Sequence, residues 1–161
     1  MKHLTRIALV LGLGLGAAPI PAQVPFTSLT AQSVGEGCNG VSTGLCKFLS
    51  PPTTLSAQLD AGAGTVTITV NALEFCGATV PLTVLVLGLQ PAALPIPEFG
   101  VGCTLHLLPA MFLANTNSPF VLPVPTGLAT LQFLAQGAAL SVDPFGSDRF
   151  TTSNALSITL Q

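Results

Sequence analysis

The sequence predicts an all-β protein, a single antiparallel β-sandwich of about seven to eight strands. The first observation is that short segments of alternating apolar and polar residues recur along the chain, separated by turn-forming Gly, Pro, Asn and Asp. The second is that no segment of useful length shows a helical period. The third is composition, since 49% of residues are apolar and 6% are charged, against about 25% in an average domain. Such a chain can build an aliphatic core in which the nine Phe are expected to be the largest side chains. The composition is not typical of a disordered protein.

The N-terminal segment has the layout of a secretory signal peptide. Lys2 and Arg6 make its start basic, Ile7–Ala18 is an apolar run of 12 residues, and the segment ends in the small residue Ala22. A membrane-spanning helix needs roughly 20 apolar residues, so neither this run nor any later one is long enough. We therefore predict a signal peptide over residues 1–22, a secreted protein of the extracellular space or cell surface, and no membrane span after signal removal.

The mature chain divides into a short N-terminal segment and one domain. Residues 23–37 are a linker or a first edge strand, and the β-sandwich domain spans residues 38–161. The cleanest strand is Thr65–Val70, in which β-branched apolar residues alternate with Thr. Leu82–Leu87 is almost wholly apolar, which is typical of a central strand. Gln90–Gly102 contains three prolines and therefore predicts a sheet-crossing loop or a broken edge.

The remaining predicted strands complete the sandwich. Cys103–Leu108 alternates, so Cys103, Leu105 and Leu107 are expected to face the core and His106 the opposite side. The last strand, Asn154–Gln161, has no Lys, Glu or Pro to protect an edge, so we expect it to be an exposed contact edge. The strand number favours an immunoglobulin-like arrangement, with a jelly roll as the alternative. The other predicted strands are Thr53–Asp60, Phe120–Val124 and Ala129–Gln136.

Charge is the property that excludes most partners. Signal removal leaves two cations, Lys47 and Arg149, against six acidic residues, a net charge of −4. Two scattered cations cannot form the basic stripe that nucleic acids or anionic lipids require. A weakly charged surface rich in Thr, Ser, Asn, Gln, Ala and Gly gives little repulsion between copies, which favours association. We therefore expect self-association or binding to cell-envelope material, and no cofactor.

Four cysteines in an exported chain predict two disulfides. The four residues allow three pairings, which the sequence alone leaves open. Their spacings contain no C-x-x-C pair of the kind that structural zinc sites usually have, so no cysteine metal site is expected. The cysteines are Cys38, Cys46, Cys76 and Cys103.

Candidate catalytic and metal-binding residues are few. His106 is the only histidine outside the signal, and no G-x-S-x-G nucleophile elbow accompanies it, so we predict no catalytic residue and no enzyme. Asp143 and Asp148 flank the turn sequence DPFGSD and are calcium-ligand candidates, although calcium takes six to eight oxygen ligands. The chain lacks Trp and Tyr, the aromatics with a polar handle that usually stack on sugars.

Several stretches in order resemble a bacterial family. They are Gly35-Glu36-Gly37-Cys38, the strand Val80–Leu89, Gly102-Cys103-Thr104-Leu105, and the ending LQFLAQGAALSVDPFGSDRFTTSNALSITL. Together they resemble the small secreted β-sandwich modules of planctomycete-type bacteria, a largely uncharacterised family, so the resemblance implies a fold and a location. It also implies a Cys38–Cys103 disulfide, with Cys46–Cys76 as an additional pair. The alternative, Cys38–Cys46 with Cys76–Cys103, closes shorter loops.

These observations favour one class of function. We expect a secreted, non-catalytic structural or interaction module of the extracellular surface. The alternative is a sandwich module that binds glycans or calcium. An extended groove with exposed Phe beside Asn and Asp would favour glycans, whereas His106 within reach of a Ser and an acid would favour an enzyme.

Cleavage of the predicted signal peptide fixes the mass of the exported protein, which can be measured. Because Ala22 is the small residue that ends the segment, the exported protein should begin at Gln23. Intact-mass spectrometry of the secreted product checks this, and a membrane-bound product that retains Met1 would contradict it.

Overall fold

The computed structural model describes residues 25–38, 53–72, 78–100, 102–116, 118–142, 144 and 148–161. Within these residues eight strands form two antiparallel sheets, and the remaining regular structure is one 3-10 turn, Pro97–Phe99. The predicted all-β antiparallel sandwich is confirmed. The strands are β1 Leu29–Val34, β2 Thr54–Asp60, β3 Thr65–Asn71, β4 Thr79–Pro95, β5 Thr104–Asn115, β6 Phe120–Pro123, β7 Leu131–Val142 and β8 Asp148–Leu160.

The two sheets differ in size. The larger contains five strands in the order β1-β8-β7-β4-β5, and the smaller contains three in the order β2-β3-β6. β1 lies within residues 23–37, which the sequence left open as a linker or a first edge strand, and it pairs with β8 along its whole length. β5 runs on to Asn115, well past Leu108, where the alternation in the sequence stops.

Aliphatic side chains from both sheets fill the space between them. In β3, Val66, Ile68 and Val70 are buried while the Thr residues between them are half-buried, as the alternation predicts. The larger sheet contributes buried residues from β4, β7 and β8 to the same core. The buried members of this inter-sheet core are Phe26, Leu55, Val66, Ile68, Val70, Leu85, Phe120, Ala135, Leu156, Ile158 and Leu160.

The expectation that the last strand forms an exposed edge is wrong. β8 lies between β1 and β7, with Ile158 paired to Ala31 on one side and to Phe133 on the other. The strand that covers it, β1, gave no alternation signal because most of its side chains face solvent. The absence of protective charges in β8 therefore reflects an interior strand, which has no free edge to protect.

β4 leaves the larger sheet partway along its length. Its pairing with β7 ends at Gly88, whereas its pairing with β5 continues to Pro95. The register between β4 and β5 shifts on both sides of Gly88, and such irregularities bend a strand. A Cβ at Gly88 would collide with the backbone of Leu108, so this close approach requires glycine. Residues 88–100 and 102–108 form the projecting segment, hereafter the strap.

The strap folds over the outer face of the larger sheet, the face turned away from the smaller sheet. β5 contacts β7 and β8, neither of which is its neighbour in the sheet. Leu107 of the strap is buried against Val86 and Leu134 in a second apolar cluster. The expectation that Leu105 and Leu107 face the inter-sheet core is therefore wrong, because the strap carries them to the opposite face of the larger sheet.

The proline-rich stretch Gln90–Gly102, predicted as a sheet-crossing loop or a broken edge, is in part a strand with an irregular register. β4 continues through Pro91, which lies opposite Leu107, as far as Pro95. Proline lacks the amide hydrogen that a central strand needs, and it is tolerated here because the strap pairs on one side only.

Several predictions fall outside the described part of the chain. They are the signal peptide over residues 1–22, the Cys46–Cys76 pair and the calcium candidate Asp143. In the part that the structure does describe, no helix has the length and apolar character needed to cross a bilayer.

The interior position of β8 makes its core residues costly to truncate. Ile158→Ala should lower the free energy of unfolding by about 2–5 kcal/mol, because it leaves a cavity among fully buried neighbours. Val121→Ala is the control, since Val121 is 59% exposed and its truncation should cost no more than about 0.5 kcal/mol. Urea unfolding of the mature protein measures both, and equal effects would contradict the assignment of β8 to the core.

Candidate functional site

A cavity of about 360 Å³ lies between the strap and the outer face of the larger sheet. Four strands of the sheet and the 3-10 turn contribute side chains to it, and nearly all of these are apolar. None of the described residues that line it carries a charge. They are Leu82, Val84, Val86, Ile96, Phe99, Leu105, Phe112, Gln136, Gly137, Ala138, Ala139, Leu140, Phe150 and Thr152.

β4 supplies the floor of the cavity because both of its faces are apolar. Leu82, Val84 and Val86 face the cavity, while Leu85 and Leu87 between them face the inter-sheet core. Side chains alternate between the two faces of a strand, so a run in which Thr83 is the one polar residue can serve both sites at once. The apolar run Leu82–Leu87 that predicts a central strand thus also provides the cavity floor.

The roof of the cavity is aromatic at one end. Phe99 of the 3-10 turn stacks on Phe150 of β8, with the ring centroids 5.0 Å apart and the planes 7° from parallel. The turn is closed by the amide of Phe99, which donates to the carbonyl of Ile96 at 3.0 Å. Ile96 and Leu105 of the strap also line the cavity, so the strap and the sheet form its two walls.

Most of the described Phe residues lie outside the core, although the composition predicted them to be in it. Of the six Phe residues that the structure describes, Phe26 and Phe120 are buried in the core. The other four are half-buried or exposed, and three of those line the outer-face cavity. The core between the sheets is filled instead by Leu, Val and Ile from the regular alternation of the strands. The four outer residues are Phe99, Phe112, Phe133 and Phe150.

Gln136 joins the strap to the sheet. Its side chain is 1% exposed, and its Oε1 accepts from the backbone N–H of His106 at 2.7 Å. Its Nε2 donates to the carbonyls of Thr104 and Ser153, each at 3.0 Å. One amide therefore satisfies two backbone groups of the strap and one of β8, all of which would otherwise be costly to bury.

His106 attaches the strap to the chain that follows β1. Its Nε2 donates to the backbone carbonyl of Glu36 at 2.9 Å. The imidazole ring lies directly against Gly35, which has a φ of 69°, so a side chain there would be strained and would also collide with the ring. The histidine hydrogen-bonds a main-chain oxygen here, whereas a general base needs a nucleophile and an orienting acid.

A disulfide ties the strap across the sheet. Cys38 and Cys103 are bonded, with their Cα atoms 5.1 Å apart, and this is the pairing that the resemblance implies. Cys38 is itself anchored to β8, since its N–H donates to the carbonyl of Thr152 at 3.1 Å and its carbonyl accepts from the Thr152 N–H at 3.0 Å. The bond therefore connects β8 to the residue just before β5 begins, which holds the strap closed.

The remaining predicted site residues do not join this cavity. Asp148 is exposed at the start of β8, and its partner candidate Asp143 lies outside the described residues. Among the residues that the structure describes, no three His, Cys, Asp or Glu side chains are grouped as a metal site. Desolvation by partial burial lowers the pKa of Arg149 from its ordinary value, but this residue does not line the cavity.

Gln136 and the stacked phenylalanines were not predicted from the sequence. A Gln in an alternating strand is expected to face solvent. Nothing in the sequence near Gln136 indicates that the strap covers its face of the sheet. The signal that could have found the site is the doubly apolar run of β4, which requires a cover on each face of the sheet.

Removal of the Gln136 amide should release the strap. Gln136→Leu keeps the side-chain size but leaves one N–H and two carbonyls without their partner, so it should destabilise the protein by about 3 kcal/mol. Gln132→Leu on the same strand is the control, because its 3.4 Å bond to Ser157 Oγ is exposed and its loss should cost less than about 1 kcal/mol. Urea unfolding compares the two, and similar losses would contradict the role assigned to Gln136.

The comparisons with known proteins give no relative for this chain. No family model, no curated protein and no solved structure matches it. Its function is therefore inferred from its own geometry, of which the apolar cavity and the uncharged strands β1 and β5 at the edges of the larger sheet are the main features.

Proposed function

We propose that the protein is a secreted, non-catalytic interaction module of the extracellular surface, which associates with further copies of itself through strand β5. The observation that carries the proposal is a row of exposed apolar side chains on an uncharged outer strand. Phe112 is 65% exposed and Met111 52% exposed, and Leu108 is exposed as well. Across β4 and β5 there is no charged residue apart from the titratable His106.

β5 is favoured over the other outer strand of the larger sheet. In β1 the exposed residues are Thr30, Ala31, Gln32 and Ser33, which are small or polar. β5 instead presents apolar side chains on both faces, because Met111 lies beside Gly88 and Leu89 while Phe112 faces the covered cavity. Burial of large apolar side chains drives association more strongly than burial of small polar ones.

A second copy is the partner that this edge fits best. An outer strand offers unpaired backbone groups, and an identical antiparallel strand satisfies them about a two-fold axis. Met111 lies within the exposed stretch after Leu108, so we place the axis near it. Edge strands are commonly protected by charge or proline, and between Leu107 and Asn115 this one has no charge and a single proline, Pro109.

The low charge of the chain supports the same proposal. Two cations and six acidic residues in the mature chain give weak repulsion between copies, which favours association near neutral pH. The non-catalytic part of the proposal is supported by the histidine. His106 donates to a main-chain carbonyl and packs on Gly35, a structural role in the attachment of the strap.

Self-association through β5 is tested by a charge placed on the edge. Met111→Lys in the mature protein should raise the dissociation constant of the assembly at least tenfold, because two lysines would face each other near the axis and apolar contact would be lost. Gln32→Lys on β1 is the matched control, since it adds the same charge to an exposed position of the opposite edge.

Light scattering coupled to size exclusion, over a range of protein concentrations, gives the measurement. The proposal expects a mass that rises with concentration for the unmodified protein and for Gln32→Lys, and a lower mass for Met111→Lys. A protein that stays monomeric at high concentration would overturn it, and so would a Gln32→Lys variant that dissociates as readily as Met111→Lys.

A further inference from the structure

We propose that the covered cavity is a binding site for a neutral aliphatic chain. The site shares Phe112 with the association proposed for β5, but Met111, which the test of that association replaces, does not line the cavity. The cavity lies on the outer face of the larger sheet, and the strap, the Gln136 amide and the Cys38–Cys103 disulfide hold it closed. Two properties of its lining identify the ligand class: the absence of charge and the internal satisfaction of its polar groups.

The polar groups of the lining are already engaged by the protein. All three hydrogen bonds of the Gln136 amide go to backbone groups. Thr152 Oγ1 accepts from the N–H of Cys38 at 3.2 Å and lies 3.3 Å from its Sγ. Among the described residues, no buried side-chain nitrogen or oxygen lacks a partner. A polar ligand would therefore lose its bonds to water without gaining new ones.

This lining argues against a glycan in the same cavity. Its exposed aromatics, Phe112 and Phe150, could stack on a sugar ring, but no Asn or Asp stands beside them among the lining residues. Sugar hydroxyls would be buried against Leu, Val and Ala side chains without hydrogen-bond partners. An aliphatic chain has no such groups, and each buried methylene contributes about 0.8 kcal/mol.

The volume of the cavity suits a small ligand. Its volume of about 360 Å³ lies within the range of about 300–1,000 Å³ that is usual for small-molecule pockets. The lining runs from Phe150 on β8, across β7 and β4, to Phe112 on β5. Three strand spacings of about 4.8 Å span roughly 14 Å across the sheet, and the lining also extends along β4 from Leu82 to Val86. Phe112 is well exposed, so the polar end of a chain would reach solvent there.

A cavity of this size also has a physical reason to be filled. Water gains little in such a space because its lining offers no free polar partners. A ligand that fills the space restores the dispersion contacts that the lining side chains would otherwise lack.

The experiment titrates the mature, disulfide-bonded protein with 1-decanol and, in parallel, with maltose. Isothermal titration calorimetry should give saturable binding of 1-decanol with a negative heat-capacity change, and no heat of binding for maltose. Ala138→Phe fills the floor of the cavity and should weaken 1-decanol binding at least tenfold. Ala31→Phe adds the same ring at an exposed position of β1, so its binding should remain unchanged.

A second variant keeps the test decisive if Ala138→Phe does not fold. The chain contains no Trp and no Tyr, so Phe150→Trp introduces a unique fluorophore at the roof of the cavity. A brominated alkyl alcohol should quench this emission with a saturable dose response, and 1-decanol should reverse the quenching by competition. No saturable binding of either alcohol would overturn the proposal, as would saturable binding of maltose or full binding by a folded Ala138→Phe variant.

Discussion

The buried amide of Gln136 is the interaction on which the arrangement of the outer face depends. Its three hydrogen bonds join the start of β5 to β8 through a single side chain of β7. Because the strap leaves the sheet at Gly88, its backbone groups need partners that a neighbouring strand would ordinarily supply. The Gln136 side chain, which projects from the sheet, is the partner of the His106 N–H and the Thr104 carbonyl. These two strap groups are therefore satisfied although they lie on an apolar face.

The disulfide and the histidine act on the same segment from its other side. Cys103 is bonded to Cys38, which pairs with Thr152 of β8, and His106 donates to the carbonyl of Glu36. Cys38 and Glu36 both follow β1, so the N-terminal edge of the sheet and the strap are held together across β8. A covalent bond adds stability here chiefly by restricting the unfolded chain. The segment after β1 therefore covers β8 and also secures the strap.

This arrangement gives the larger sheet two apolar faces with separate uses. One face meets the smaller sheet in an ordinary aliphatic core, and the other meets the strap across the cavity. Antiparallel sheets commonly leave one face to solvent, and the strap replaces solvent on the second face here. Uncharged, apolar surfaces therefore occur in two places: in the cavity between the strap and the sheet, and along the exposed part of β5. Both proposed activities are therefore of the same chemical kind, the burial of apolar material away from water.

The sequence by itself determined the all-β class, most of the strands and the side chains that fill the inter-sheet core, because alternation with period two is a local property of each strand. Tertiary structure alone decided that β8 is an interior strand, that Leu107 lies on the outer face and that Gln136 is buried. Each of these depends on a partner distant in the chain: β1 for β8, and the strap for the other two. Periodicity reports that a strand has two faces, but which neighbour covers a face or an edge is set by pairings between distant segments.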